Sequence, residues 1–517
     1  MLSPADLAAG SPEPIRAFDP KLVRMQKSQS VVKNSSTLRL GILVYAAIAG
    51  IFTLLQLLTV TLAPISVSLA PGSDTWEYQE LAAGIRHGCG FARYISGACA
   101  QPEILRTPGY PLFVALFPNW RVALVAQALL CGLICLLAGI WIGRRWGVRV
   151  GVAAQLLIFV NVPSFVLSGM LLSETLFQTV LFLAVLTPLV QLSRVRGASS
   201  ILGCAAISGV LIGCLSLIRP VAIFVALVGF IPFLFFTLIS ARQKVAAIVL
   251  SVGIPLAMLL GWSLRNYSLR GYLGISTVSS LNLYLYRAGG VVALDSGKSL
   301  GEVQDKMIAD IGATNLRLYE NDVTPPLAKE MNRRALRILV GHPWETIVVT
   351  VQGFVWLLIA PSRTLLAKLL GTPGGSTELG PGSGRVTLSR LTRLLDQVAQ
   401  SKLLTALIAL QFLVTAVIWI GVLRSLLKIR KSSPEFRAWI IYLLSVAMLL
   451  LVTASGAEAA VRFRSVVMPL LSVAAAMGYF AEIANSGKTT VAAGSRMLLT
   501  WPIRIKQPAF LPYRSDR

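Results

Sequence analysis

Long apolar runs recur along this chain, separated by short polar connectors. They fall at about 40–63, 121–142, 150–169, 172–190, 201–217, 220–239, 245–263, 343–360, 403–422, 437–454 and 465–481. Most reach the length a helix needs to cross a bilayer. Inside hydrocarbon each backbone N–H and C=O must be satisfied within its own segment, so such runs read as helices. The pattern predicts an all-α polytopic membrane protein with about 10–12 transmembrane helices, whose external loops carry short helices. Two polar stretches, 64–120 and 264–342, are too long for simple turns. The second holds a short helical pattern, VQDKMIADI, a turn at Pro325–Pro326 and a basic helix around Arg333, Arg334 and Arg337. The linker GTPGGSTELGPGSG, 371–384, has too much Gly and Pro for a helix. Behind it, 386–402 spaces apolar residues around Arg390, Arg393 and Asp396 as an amphipathic interfacial helix would.

Composition agrees: of 517 residues 55% are hydrophobic and 13% charged, where a soluble chain has about a quarter charged. The net charge of +25 is compatible with nucleic acid in principle, but its placement argues otherwise. Basic residues crowd the connectors: Arg144, Arg145 and Arg149; Arg194 and Arg196; Arg242 and Lys244; Arg424, Lys428, Arg430 and Lys431. By the positive-inside bias these face the cytoplasm, together with an N-terminal tail, 1–36, and a C-terminal tail, 486–517. The membrane domain is then 37–485, with 64–120 and 264–342 outside. The first apolar run starts too late and runs too long for a cleaved signal peptide, and reads as a signal anchor. If 343–360 crosses the membrane, 361–402 is cytoplasmic and the basic 423–432 falls outside. If it only dips in, 361–402 is external and ten spans remain. Pro343, Glu345 and Gln352 in so short a stretch favour the dip.

Candidate chemistry gathers at the outer ends of the runs. Asp74 stands about ten residues beyond the first run, with Glu77 and Tyr78 one helical turn on. Shielded from water, a carboxylate there would have a raised pKa and take a proton from a hydroxyl; its plain alternative is a helix cap. Arg106 begins RTPGYP, where prolines fix a bend, a glycine permits close approach and Tyr110 marks the interface. A guanidinium on a rigid loop suits a phosphate, though it equally suits snorkelling to headgroups. Glu174, Arg219, Arg265, Asn266, Arg462 and Arg464 fall at other outer ends. Several arginines on the side disfavoured for positive charge suggest an electropositive mouth. Of six cysteines, Cys131, Cys135, Cys204 and Cys214 lie in apolar runs, while Cys89 and Cys99 share the first loop. In an oxidising compartment these two are as apt to bridge as to stay free. No metal-ligand spacing, Walker motif or dinucleotide fingerprint occurs, and His87 and His342 are the only histidines.

SDTWEYQELA, RTPGYPLFVAL, LLSETLFQ, LSLIRP, GWSLRNYSLRGYLGISTVSSLNLY and RFRSVVMPLL, in that order, resemble the polyprenyl-phosphate-sugar-dependent glycosyltransferases of the C-type fold. This family includes the protein O-mannosyltransferases and the bacterial aminoarabinose transferase. The likeness covers about 40–480. It implies transfer of one sugar, with inversion, from an undecaprenyl- or decaprenyl-type phosphate to a hydroxyl of an envelope glycan or glycolipid such as lipopolysaccharide or exopolysaccharide. The setting it implies is the periplasmic face of a bacterial inner membrane. It makes Asp74 the general base and Arg106 and Tyr110 part of the donor pocket, with Arg219, Arg265, Asn266, Arg462 and Arg464 as phosphate or pocket candidates. Glu77, Tyr78 and Glu174 are candidates for the acceptor or second-carboxylate role. The Asp–Glu pair of many members is missing, since Thr75 follows Asp74. No clear metal ligand set is therefore assigned, and a divalent metal as cofactor is left open. Expected partners are the lipid-linked donor, the glycan acceptor and membrane lipids, without nucleic acid. A flippase for a lipid-linked glycan is the alternative, but it would be expected to carry acids near mid-membrane.

Overall fold

The computed structural model describes residues 20–63, 74–192, 198–236, 240–312, 323–360, 362, 365–367 and 401–481, with side chains described from residue 40. Most of the expected 361–402 loop and the 486–517 tail lie outside these. By internal contacts the chain forms two units, 38–483 and one made of 1–37 with 484–517. The candidate membrane spans among the described residues all belong to the first.

The apolar runs are helical over most of their described residues, with 220–236 only in short pieces. In chain order the elements begin with α1 (Pro20–Leu62), α2 (Asp74–Arg86) and a hairpin of β1 (Ala92–Ile95) and β2 (Ala98–Pro102). Then come α3 (Gly109–Ala115), α4 (Trp120–Trp146), α5 (Val148–Phe159), α6 (Val162–Ser168), α7 (Glu174–Gln191) and α8 (Ala198–Ile218). Short α9 (Ile223–Ala226) and α10 (Ile231–Leu234) lead to α11 (Ala241–Arg270) and α12 (Val278–Leu281). A π-helix, Asn282–Ala288, passes into α13 (Gly289–Ser296), α14 (Leu300–Asp310), α15 (Pro325–Gly341) and α16 (Pro343–Ile359). The last set is α17 (Lys402–Lys428), α18 (Pro434–Thr453), α19 (Val461–Ser465) and α20 (Met468–Phe480). Among the described residues seven helices are long and apolar enough to span a membrane, or nine if each of two bent pairs is one span. The chain is a multi-pass membrane protein.

Two of the expected spans are interrupted. Between α5 and α6 the chain bends by 59° at Asn161–Val162–Pro163, where proline cannot continue the hydrogen-bond ladder. The 220–239 run is broken into short turns, with Pro220 and Pro232 at their starts. A larger bend, 99°, separates α15 from α16. α15 buries Ala328, Met331 and Ala335 on one face, while Leu336 and Val340 are exposed. Val349 on α16 packs with Val291 and Ala457. Beyond α16, Leu366 and Ala367 pack with Val166, Leu167, Leu172 and Leu404.

The helix ends sort into two sets. At one, Arg145 on α4 pairs with Glu435 at the start of α18, and Lys428 donates to the Ala481 carbonyl at 3.0 Å. At the other lie the starts of α4 and α7 and the ends of α8, α11 and α18. There the 64–120 segment is fastened down. Thr107 donates to the Ile218 carbonyl at 3.1 Å. A Cβ on Gly109 would stand 2.8 Å from the Leu217 carbonyl oxygen, so RTPGYP needs its glycine for close approach to α8. Tyr110 is buried, and its hydroxyl donates to Gln127 at 2.5 Å. Gln127 in turn donates to the Ser168 and Met170 carbonyls.

Candidate functional site

Asp74 opens α2, with Glu77 in the same first turn, where the partial positive charge of a helix N-terminus favours acids. Arg106, on the loop that precedes α3, spans both. One NH2 donates to Asp74 at 2.7 Å, and its Nε donates to Glu77. Arg93 on β1 stands 3.8 Å from Glu77 and donates to Glu103 at 2.7 Å. From the other end of the sequence, Arg462 on α19 reaches Asp74 at 3.5 Å and Glu174 at 3.7 Å. Glu174, 2% exposed, also pairs with Arg219 at 2.9 Å. Six segments thus interlock through three carboxylates shared among four guanidiniums.

The charges do not balance equally on each acid. Burial pushes the Asp74 carboxyl up, but Arg106, Arg462 and Arg219 together outweigh it and hold Asp74 well below the usual carboxylate range. Shielding is present, and the nearby cations outweigh it. Glu77 behaves in the opposite way. At 1% exposure, burial lifts its carboxyl to about 7 against the pull of Arg106 and Arg93, with Asp74 adding to the rise. The two acids share one guanidinium, and the proton goes to the deeper one.

These groups face a cavity of about 550 Å³, of a size that holds a small organic ligand. Asp74, Tyr78, Arg106, Arg219 and Arg462 line it directly. Glu77 and Glu174 stand behind the arginines, and Tyr110 stands behind Tyr78 with the rings edge to face at 4.7 Å. Apolar Val221, Ile223, Phe224 and Leu450 also line it, and Phe224 is partly exposed.

Three expected pocket residues do other work. Arg265 donates to the carbonyls of Glu103 and Phe91 at 2.6 and 3.1 Å and stacks on Trp262, so it ties the hairpin to the end of α11. Asn266 donates to the Gly274 and Ile275 carbonyls and shapes the turn after that helix. Arg464, 1% exposed, donates to the carbonyls of Leu357, Leu358 and Ala360. It satisfies the C-terminal end of α16, whose last carbonyls have no helical partner. Cys89 and Cys99 are joined in a disulfide across the hairpin.

The sequence reading missed a second polar group in the cavity. Arg287 on the π-helix pairs with Glu458 at 3.0 Å and donates to the Thr453 and Ser455 carbonyls. Both line the cavity with Asn282 and Tyr286. Glu458 stands four residues before Arg462 in AEAAVRFRS, and that nearness was the available signal. Among the described residues no three His, Cys, Asp or Glu side chains gather as a metal site would require. Asp74, Glu77 and Glu174 each already face a guanidinium. This donor set does not fit a divalent cation, whose carboxylate ligands would have to leave their arginines.

No family model matches the sequence, and no curated protein does. Solved structures do. The apo oligosaccharyltransferase of Archaeoglobus fulgidus aligns over 83% of this chain and 50% of its own, at 15% identity and a TM-score of 0.44. The oligosaccharyltransferase AglB of the same organism, bound to an inhibitory peptide and a dolichol-phosphate, aligns over 83% and 50% at 13% identity, with a TM-score of 0.43. The same enzyme with zinc and sulfate gives 84% and 49%, 14% and 0.39. The chain spans about half the length of the structures it resembles.

Proposed function

We propose that this chain is a membrane glycosyltransferase, which moves a sugar from a polyprenyl-phosphate carrier to a hydroxyl of an envelope glycan or glycolipid. The observation that carries the reading is a carboxylate, Asp74, lining the same cavity as Arg106, Arg219 and Arg462. The donor phosphate takes these guanidiniums, which suit its oxygens through their forked N–H groups. The apolar wall at Ile223, Phe224 and Leu450 takes the first part of the lipid. The acceptor oxygen forms a bond to the anomeric carbon while the bond from that carbon to the phosphate oxygen breaks. The electron pair leaves on the carrier phosphate, where the arginines stabilise the added charge, and the acceptor proton passes to Asp74. As the phosphate draws Arg462 and Arg219 towards itself, Asp74 regains basicity when a donor is present.

The membrane domain is 37–485, with 64–120, 264–342 and 361–402 outside and both tails inside. The setting is a bacterial inner membrane with the cavity open to the periplasm. Two observations support this arrangement. The basic Arg144, Arg145, Lys428, Arg430 and Lys431 sit at the helix ends opposite the cavity, as the positive-inside bias requires. Both flanks of α16 pack against helix ends on the cavity side, as a segment that dips and returns would.

The test is transfer by the full chain in nanodiscs, given a radiolabelled undecaprenyl-phosphate sugar and a membrane glycan extract. Asp74→Asn should lower transfer by about 10²–10⁴-fold, the usual contribution of a general base, while melting as wild type does. Equal transfer by both removes Asp74 from the chemistry. Neither transfer nor hydrolysis by wild type with any donor would replace the enzyme with a carrier of lipid-linked glycans.

A further inference from the structure

The cavity has a second charged station that the phosphate does not need. Arg287 and Glu458 face each other at 3.0 Å on its wall. Arg287 lies on the π-helix Asn282–Ala288, away from the Asp74 group, and Glu458 on the stretch between α18 and α19, four residues before Arg462. Here one carboxylate meets one guanidinium, so the station is close to neutral, unlike the electropositive end.

Its construction is deliberate in physical terms. A π-helix inserts an extra residue into a helical turn, is rarely kept without a use and is frequent at functional sites. Here it brings Asn282, Tyr286 and Arg287 to the one cavity. Tyr286 lines the same cavity and feels the charges of Arg462, Asp74 and Arg106 and also of Glu458. The loop that carries Glu458 is held by close backbone packing. A Cβ on Gly353 would stand 2.4 Å from the Gly456 nitrogen, and one on Gly290 would stand 2.5 Å from the Ala457 Cβ. Only glycine allows α16 and α13 to clamp it so tightly. Within that clamp one Glu458 oxygen accepts from Arg287, and the other is packed against Gly456, which fixes the carboxylate in place.

We infer that Arg287, Glu458, Asn282 and Tyr286 form a sugar-reading station, which binds the hydroxyl groups of the carrier-linked sugar while the phosphate sits at Arg106, Arg219 and Arg462. A pair of neighbouring hydroxyls matches this set. Each O–H donates to a carboxylate oxygen and accepts from a guanidinium N–H, and the tyrosine ring covers the C–H face of the sugar. Neighbouring donor and acceptor groups read a diol, where a uniformly basic patch would read only charge. The inference rests on the glycosyltransferase reading and names the part of the cavity that decides which sugar is accepted.

The experiment measures lipid affinity of the full chain in nanodiscs with four probes. These are bare undecaprenyl phosphate and the same lipid carrying glucose, galactose or arabinose. For wild type, at least one glycosylated lipid should bind about ten-fold or more tightly than the bare lipid, the worth of one hydrogen bond to a charged group. Glu458→Gln and Asn282→Ala should each erase most of that preference, leaving affinity for the bare lipid within about two-fold of wild type. Bare-lipid affinity serves as the folding control in the same samples. Wild type binding all four probes alike overturns the station. So does a Glu458→Gln variant that keeps the preference, or one that loses bare and glycosylated lipids in equal measure. Failure of wild type to bind any of the four overturns the glycosyltransferase reading itself, and that result is distinct from the others.

Discussion

At the cavity end of the helices, Glu77 and Glu174 are buried, and with the partly exposed Asp74 they are shared among Arg93, Arg106, Arg219 and Arg462. At the opposite end, Arg145 and Glu435 form a pair with side chains 35% and 19% exposed. Both are arginine–carboxylate contacts, and a list of ion pairs would not separate them. Their surroundings do. A buried charge keeps its ionised form only while its partners stay, and losing one partner leaves the other stranded. A partly exposed pair can fall back on water. The cavity end therefore stores electrostatic energy that an entering anion can redirect, while the far end supplies orientation and modest cohesion.

The largest expected break in this comparison is Arg106→Gln. It removes the donor to Asp74 and Glu77 together, and the loss should cost about 3–5 kcal/mol, as for breaking a buried pair. Thermal melting in detergent should show a large fall. Transfer should fall as well, because the phosphate loses a ligand. A variant that melts like wild type would mean the site is far wetter than its burial indicates.

Arg464→Ala tests whether arginines at the cavity end act alike. Arg464 meets only backbone carbonyls, at 2.6–3.1 Å, so its loss uncaps α16 and should cost about 2–3 kcal/mol. Donor affinity of the folded fraction should stay near wild type. A selective loss of donor affinity without a stability change would return Arg464 to the pocket.

The helices were readable because a membrane demands long apolar runs, and no tertiary contact is needed to recognise them. Asp74 and Arg106 were readable for a related reason: each sits in a short local pattern, a helix start and a Pro–Gly–Tyr–Pro bend. Arg265 and Arg464 were misplaced because their partners are backbone carbonyls more than 100 residues away, and no local pattern records a carbonyl. Arg287 and Glu458 were missed for a similar reason. Their pairing depends on a π-helix and on the Gly353–Gly456 approach, neither of which leaves a periodic trace. The sign of the Asp74 shift was also hidden, since it depends on how many arginines converge and on how deeply they are buried.

Glu77→Gln sharpens the comparison through pH. The folded-state pKa of Glu77 is raised to about 7, so between its ordinary value of 4.5 and 7 the folded chain holds a proton that the unfolded chain has released. Stability from this group therefore falls as pH rises across that window. Asp74 has the opposite sign, with a lowered pKa whose stabilisation is lost only as pH falls below its ordinary 3.8. Melting temperature followed from pH 4.5 to 7 should decline for wild type and flatten for Glu77→Gln. Equal slopes would show that Glu77 stays ionised and that its two arginines outweigh its burial.

The smallest effect belongs to the far end. Arg145→Gln leaves Glu435 able to reach water, so this partly exposed pair should contribute about 1 kcal/mol, less than the Arg106 pairs. The guanidinium also lies 4.7 Å from the centre of the Trp146 ring, and the glutamine stem keeps part of that packing, which holds the loss low. Raising salt should shrink even this difference, because solvent reaches both charges, whereas the Arg106→Gln deficit should hardly move. A shift for Arg145→Gln as large as for Arg106→Gln, or one insensitive to salt, would mean that the two ends are built alike and that burial is not what sets the cavity apart.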